Sequence, residues 1–352
     1  MKTEQGSAPD GADRLDGAPG VAGDGRTARP VLALDIGGTK LAVGVVTSDG
    51  RTHGLRIAPT RRERGPQAVI DQLFALGREA IEASGLGPVS AVGISCGGPL
   101  DGPSGVLQSP PHLPGWIDIP VGPMASDAFG VPFALENDAT AAALAEHRFG
   151  AGVGVDNLLY LTVSTGVGGG AFLDGTLLRG AAGNGGEFGH ITVRREGRPC
   201  ACGRRGCIEA YASGTAIAAR AREQLADDPS SSLAALHVVT AADVSRAAAA
   251  GDALARRVWD ETTDLLGAAV TDLVNVFEPE MVILGGGVAR AGAMLLDPVR
   301  QVVDREAMAP ARRVVSVVLA GLGDVVCVVG AGVVAFDRAL GSLDTRPEVQ
   351  RV

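Results

Sequence analysis

Twice in this chain an apolar run breaks at a glycine turn and resumes as a second apolar run. In the first, Val31–Ile36 leads through Gly37-Gly-Thr-Lys40 into Leu41–Thr47, which stops at the hairpin signal Asp49-Gly50. In the second, Asn157–Ser164 leads through a glycine loop into Gly169–Leu178. A third strand is expected around Thr52–Ala58, and further strands at 89–95, at 131–137 and from Met281 into Gly285-Gly-Gly287. Val69, Ile70, Leu73, Leu76, Ala80 and Ile81 have helical spacing over 66–83. Helices are also expected at 138–149, closed by Gly150, and at 214–225, 241–250 and 253–277. A helix and a strand follow residue 287, the segment 97–105 reads as loop, and the last apolar segment reads as a buried helix. A hairpin with crossover helices, occurring twice, predicts a two-lobed α/β protein with a mixed sheet in each lobe. Its ligands would sit between the lobes, where the glycine turns cluster at strand ends. Residues 1–28 read as a disordered tail, 29–138 as a small lobe joined by the C-terminal helix 324–341, and 139–323 as a large lobe.

Composition narrows the class. A chain of 352 residues, 46% hydrophobic, is long enough for two domains. Its 51 glycines are too many for a plain helical bundle. The formal net charge of −9 argues against nucleic acid or an acidic membrane surface as the main partner. No stretch reaches the roughly 18 apolar residues that a membrane span needs, and no secretory signal pattern opens the sequence. Three of the five cysteines crowd into eight positions, unlike a secreted disulfide framework, so a cytoplasmic location is expected. Of the 31 basic residues, Lys2 and Lys40 are the only lysines.

Three glycine turns carry candidate chemistry. Asp35-Ile-Gly37-Gly38-Thr39-Lys40 and Ser164-Thr165-Gly166-Val-Gly168-Gly169-Gly170 can offer backbone N–H groups and threonine hydroxyls to an anion, and Gly285-Gly286-Gly287 ends a late strand. Neither of the first two matches GxxxxGK[ST], and each leads into a strand, which excludes a P-loop NTPase. The three in this order resemble the two phosphate elements and the adenosine element of the sugar kinase–actin–chaperone superfamily. Lys40 reads either as a solvated lysine at a turn or as a charge near nucleotide phosphates.

His190, Cys200, Cys202 and Cys207 form a second constellation. One imidazole and three thiolates suit a closed tetrahedral Zn²⁺ site, with Gly203 and Gly206 turning a knuckle around it over 190–207. A closed site has no vacancy for water, so its role is structural. Cys96 and Cys327 lie in apolar contexts and read as core residues. Asp138, in Glu136-Asn137-Asp138, sits where a strand gives way to a helix. An aspartate there is usually an N-cap, but it is also placed to accept the proton of an alcohol.

Gly186-Glu187-Phe-Gly-His190, followed by Cys-x-Cys-Gly-x-x-Gly-Cys-x-Glu209, resembles the signature of the ROK family (repressors, open reading frames and kinases). With DIGGTK, LENDA and LGGG, the resemblance covers about residues 31–340. It implies the two-lobed actin-like ATPase fold (sugar kinase/hsp70/actin, ribonuclease H-like) with a zinc knuckle. It also implies an ATP-dependent hexose kinase of glucokinase type, with Asp138 as catalytic base. Asn137, Asp138, Glu187, His190 and Glu209 match sugar-contacting positions. ATP with Mg²⁺ would lie on Asp35, Gly37, Gly38, Thr39 and Lys40 and on Thr165, Gly166, Gly168 and Gly169, its adenosine near Gly285, Gly286 and Gly287. Ser95-Cys-Gly97-Gly98-Pro99 stands where many family kinases have a Pro-Gly-Pro-type segment. Gly97 replaces the first proline, and Gly98 would allow close backbone approach to the sugar. Zinc would fix the His190 ring, leaving its second nitrogen for a sugar hydroxyl.

The resemblance leaves the sugar open between glucose and N-acetylglucosamine, N-acetylmannosamine, mannose, fructose or allose. It also leaves the donor open between ATP and polyphosphate, and it implies a homodimer or homotetramer. A sugar-responsive repressor would carry an N-terminal winged helix of about 60–80 residues. About 30 acidic, glycine-rich residues precede the first strand here, so a DNA-binding role is not expected.

Overall fold

A computed structural model describes residues 29–341; the expected tail at 1–28 lies outside them. The chain builds two sheets on one plan. The first sheet uses β1 (Val31–Ile36), β2 (Lys40–Val46) and β3 (Thr52–Pro59). Helix α1 (Pro66–Ser84) then crosses to β4 (Val92–Cys96), a short hairpin of β5 (Leu100–Asp101) and β6 (Val106–Leu107) follows, and α2 (Val121–Phe129) leads to β7 (Phe133–Asn137). The sheet order is β3-β2-β1-β4-β7. Strands β1 and β2 are antiparallel, with Ile36 opposite Leu41, while β4 runs parallel to both β1 and β7.

Helix α3 (Asp138–Phe149) passes to the second sheet, where β8 (Leu158–Val163), β9 (Val167–Leu173) and β10 (Thr176–Leu177) repeat the hairpin. Helices α4 (Glu209–Ala212), α5 (Gly214–Leu225), α6 (Ala241–Ala249) and α7 (Ala253–Phe277) precede β11 (Met281–Gly285). The chain continues through α8 (Ala293–Glu306), α9 (Ala309–Val314) and β12 (Ser316–Leu319) to α10 (Val326–Val334). The order β10-β9-β8-β11-β12 reproduces the first sheet: an antiparallel hairpin beside two parallel strands.

The two halves meet around α3 and α10. Every residue of α3 from Ala139 to Glu146 is buried, which an amphipathic helix cannot satisfy, and the run of small side chains explains how. The helix lies on β9, where a Cβ on Gly168 would stand 2.8 Å from Ala139 Cβ and one on Gly170 would stand 2.7 Å from Ala143 Cβ. On its other side lies α10. There Val328 and Ala331, with Ala335 just beyond the helix, join the first sheet's core, while Val326, Val329 and Val333 join Ala141–Ala145, Tyr160 and Ile283. Gly93 in β4 admits α10 to the sheet, since a Cβ there would fall 1.8 Å from the Ala331 carbonyl oxygen. Gly93→Ala must therefore displace helix backbone. It is expected to lower stability by about 3 kcal/mol, read as a fall in Tm.

Several elements differ from the sequence reading. The glycine- and proline-rich stretch after β4 is not plain loop: Leu100 and Asp101 pair with Leu107 and Val106. Helix α2 was not anticipated, because Gly122 and Pro123 interrupt its apolar spacing. The last helix ends at Val334 and opens into a wide π-helical turn, Ala335–Ala339. Gly150 closes α3 without entering the left-handed region (φ −111°). Cys96 is fully buried as expected, whereas Cys327, on the first turn of α10, is only half-buried. Among the described residues no helix is long and apolar enough to cross a membrane.

Candidate active site

The first glycine turn follows β1. Gly37 N–H donates to the Lys40 carbonyl at 3.0 Å, and Thr60, entering from the end of β3, donates its hydroxyl to the Gly37 carbonyl at 2.7 Å. These bonds fix the turn and leave Thr39 exposed and Lys40 half-buried beside Asp35. The Asp35 carboxylate is 6% exposed and accepts from Ser95 Oγ at 2.8 Å. Burial raises its pKa from 3.8 to about 7; the Ser95 hydroxyl opposes this, the nearby Asp138 charge adds to it, and Lys40 also opposes it.

A group whose folded pKa is raised adds stability that is fully present below its unfolded pKa and lost as pH rises through the folded value. In the absence of ligand, Tm is therefore expected to climb as pH falls from 8 to 5. Asp35→Asn should flatten that climb; an unchanged profile in the variant would assign it elsewhere.

The second turn is held by Ser164 N–H donating to the Gly166 carbonyl at 2.8 Å, and by Gly214 N–H, which opens α5, donating to the Ser164 carbonyl at 2.6 Å. Thr215 Oγ1 bonds the Thr165 carbonyl at 2.9 Å. Thr165 and Gly166 occupy the turn itself, whereas Gly168 and Gly169 lie within β9, where their missing side chains make room for Ala139 and Phe188. The third turn stands beside the second: a Cβ on Gly286 would lie 2.5 Å from the Val163 carbonyl oxygen, and one on Gly287 would lie 3.7 Å from Ser164 Oγ.

The corner from β7 to α3 supplies Asn137 and Asp138. Asn137, not Asp138, is the N-cap: its Oδ1 accepts from Ala139 N–H at 2.9 Å and Thr140 N–H at 3.2 Å. Asp138 Oδ1 accepts from Ala139 N–H at 2.8 Å. Desolvation raises the Asp138 pKa, opposed by the His112 charge. The Asn137 amide nitrogen is turned toward Gly98, 3.6 Å from where a Cβ would stand. A Cβ there would meet only ordinary van der Waals neighbours, so Gly98 is not compelled by packing. Its neighbour Gly97 is: a Cβ there would lie 2.3 Å from His112 Cε1.

His190, Cys200, Cys202 and Cys207 converge, with one ligand atom from each inside a 4.8 Å span. His190 Nδ1 lies 3.6 Å from Cys200 Sγ, and Cys202 Sγ lies 3.7 Å from Cys207 Sγ. A tetrahedral zinc with bonds of about 2.0–2.3 Å sets its ligand atoms about 3.5–3.8 Å apart, so donor set and spacing both fit that ion. The knuckle is closed by Cys200 N–H on the Arg204 carbonyl at 2.9 Å and by Arg204 on the His190 carbonyl at 3.1 Å. The second ring nitrogen of His190, Nε2, stands 3.7 Å from Glu187 Oε2. Glu209 joins the knuckle to the second turn. Its Oε2 accepts from Val167 N–H at 3.0 Å, and its Oε1 lies 3.5 Å from Cys200 Sγ.

Comparison with known proteins places this geometry. The ROK family model matches residues 31–338. The chain belongs to the ROK family. Among its ROK relatives, a glucokinase of Thermotoga maritima is 37% identical over 277 residues, covering 78% of this chain and 86% of the relative. An N-acetylmannosamine kinase of Yersinia pestis is 38% identical over 262 residues, 74% and 83% of the two chains. A crystal structure of a ROK glucokinase from Streptomyces griseus, in complex with glucose and AMPPNP, superposes with a TM-score of 0.76 at 34% identity, covering 86% of this chain and 98% of that one. The actin-like ATPase fold follows from these neighbours.

Two features of this ROK site escaped the sequence reading. His112 packs its ring on Gly97 and its Cβ on Gly38 (3.1 Å from a Cβ there), joining the first glycine turn to the Gly97–Gly98 loop. Its Nε2 is 4.0 Å from Cys96 Sγ, and desolvation lowers its pKa. The sequence signals were Gly97, whose bulky neighbour becomes visible only once His112 is folded against it, and the stretch Ser109-Pro-Pro-His-Leu-Pro-Gly-Trp116 around His112, which also resembles ROK family members. Glu136, 3% exposed on β7, is the second, with Arg179 and Arg338 on its carboxylate.

Proposed function

We propose that this ROK protein is an ATP-dependent hexose kinase of glucokinase type, transferring the γ-phosphate of ATP to the sugar 6-hydroxyl. Asp138 carries the reading. Its carboxylate stands at the corner between the two sheets, and its charge acts on Asp35 of the first glycine turn and on Glu187 beside the zinc knuckle. A base in that position removes the proton of a sugar hydroxyl while the flanking turns hold the phosphates.

Gly37, Gly38, Thr39 and Lys40, with Thr165 and Gly166, would cradle the phosphates of Mg²⁺·ATP, with Asp35 beside them. Gly285, Gly286 and Gly287 would border the adenosine. Asn137, Glu187, His190 and Glu209 would bind sugar hydroxyls near Gly98. His190, Cys200, Cys202 and Cys207 would hold structural Zn²⁺, whose contribution is to fix the loop that aims Glu187 and Glu209. A homodimer or homotetramer in the cytoplasm completes the proposal.

The resemblance to an N-acetylmannosamine kinase favours one alternative, an N-acetylhexosamine as acceptor. A coupled ADP-release assay with Mg²⁺·ATP decides between them, run across glucose, other hexoses and N-acetylhexosamines. Glucose is expected to give the largest kcat/KM. A larger value for an N-acetylhexosamine would move the assignment to that sugar, and no sugar-dependent ADP release would remove the kinase reading.

A further inference from the structure

We infer that Arg179 is a positioning residue that ties the loop bearing Glu187 to the β7–α3 corner bearing Asn137 and Asp138, and so sets the sugar-binding groups of one half of the molecule against the base of the other. The inference rests on the kinase reading above and adds a residue to it. Residues 178–187 leave β10 in the second sheet and reach the first. Arg179 Nη1 donates to Glu136 Oε2 at 2.9 Å, and Asn184 Oδ1 comes within 3.9 Å of where a Cβ of Gly98 would stand. The loop is braced internally, because Gly185 N–H donates to the Arg179 carbonyl at 2.9 Å. Holding Arg179 therefore holds the residues just before Glu187.

The anchor on the other side is rigid. Glu136 Oε1 accepts from Asn137 N–H at 2.9 Å, immediately before the proposed base. Its Oε2 also receives Arg338 Nη2 from the π-helical turn, while Arg338 Nη1 holds the Leu135 carbonyl at 2.9 Å. A buried carboxylate is expensive without a cation, and Arg338, covered by the same half of the molecule, meets that need. Arg179 is 44% exposed and comes from the opposite half. Stabilising Glu136 does not by itself call for a second arginine; fixing a loop of one half against a strand of the other does.

The test compares Arg179→Ala, Arg179→Lys and Arg338→Ala in the full-length, zinc-loaded protein, using steady-state kinetics and thermal melts. Arg179→Ala is expected to raise the sugar KM at least tenfold, with the ATP KM within twofold and Tm nearly unchanged. Arg179→Lys, which keeps a charge able to reach one carboxylate oxygen, should recover much of the loss. Arg338→Ala should lower Tm while leaving the sugar KM within threefold. An Arg179→Ala enzyme with wild-type sugar KM overturns the proposal alone, as does an Arg338→Ala enzyme with an equal KM defect, which would reduce both arginines to support for Glu136. Wild-type protein without sugar-dependent ADP release overturns the kinase reading and the proposal with it.

Discussion

Asp138→Asn is expected to lower kcat for sugar phosphorylation by about 10²–10⁴-fold, the range that a positioned general base contributes. The sugar KM should change by less than threefold, because the amide keeps the size of the carboxylate and its bond to Ala139 N–H can be remade. Folding is not at risk, since the cap of α3 belongs to Asn137. The pH dependence carries the same signature. The base must be ionised to accept a proton, and burial raises its pKa above the ordinary 3.8. Wild-type kcat/KM should therefore fall on the acid side at a pH above that of an exposed aspartate, and the residual activity of the variant should lack this limb. A variant retaining more than a tenth of wild-type kcat would remove Asp138 from the role of base.

Cys202→Ser should release the metal and raise the sugar KM about 10–100-fold, the usual scale for disturbing the groups that orient a metal site. The route is structural. Glu187 faces the Nε2 of His190, whose Nδ1 faces Cys200, and Glu209 stands between Cys200 and the Val167 N–H of the second turn. Loosening the knuckle frees both carboxylates and the turn that Glu209 steadies. Metal content by atomic absorption and sugar affinity by calorimetry should fall together, and a chelated wild-type protein should regain both when zinc is restored. Zinc-free Cys202→Ser with wild-type sugar affinity would separate the knuckle from the sugar site.

What the sequence revealed follows the range over which each signal acts. The two strand–turn–strand units and the long helix α7, Ala253–Phe277, were legible because period and capping are local; Asp252 accepts from Ala255 N–H at its start. The convergence of His190, Cys200, Cys202 and Cys207 was legible because their spacing within 190–207 is itself the signal. The cap of α3 was not decided by the sequence, since Asn137 and Asp138 are equally good cap formers and only backbone geometry chooses between them. His112 against Gly38 and Gly97, and Arg179 against Glu136, were illegible. Each joins residues 15 to 74 positions apart, and no local pattern says which distant residue either one meets. Gly168 and Gly169 looked like part of a phosphate turn, yet in the fold they make room for α3 and Phe188.

The sharing of α10 between both sheets bears on how the chain is made. Val328 and Ala331 complete one core and Val329 and Val333 the other, so neither half has its full apolar cover until α10 has been synthesised. A nascent chain stalled before residue 324 would present two open apolar faces at once, a form prone to self-association and in need of shielding until release. Both halves would thus complete their cores in one step, when this single helix docks between them.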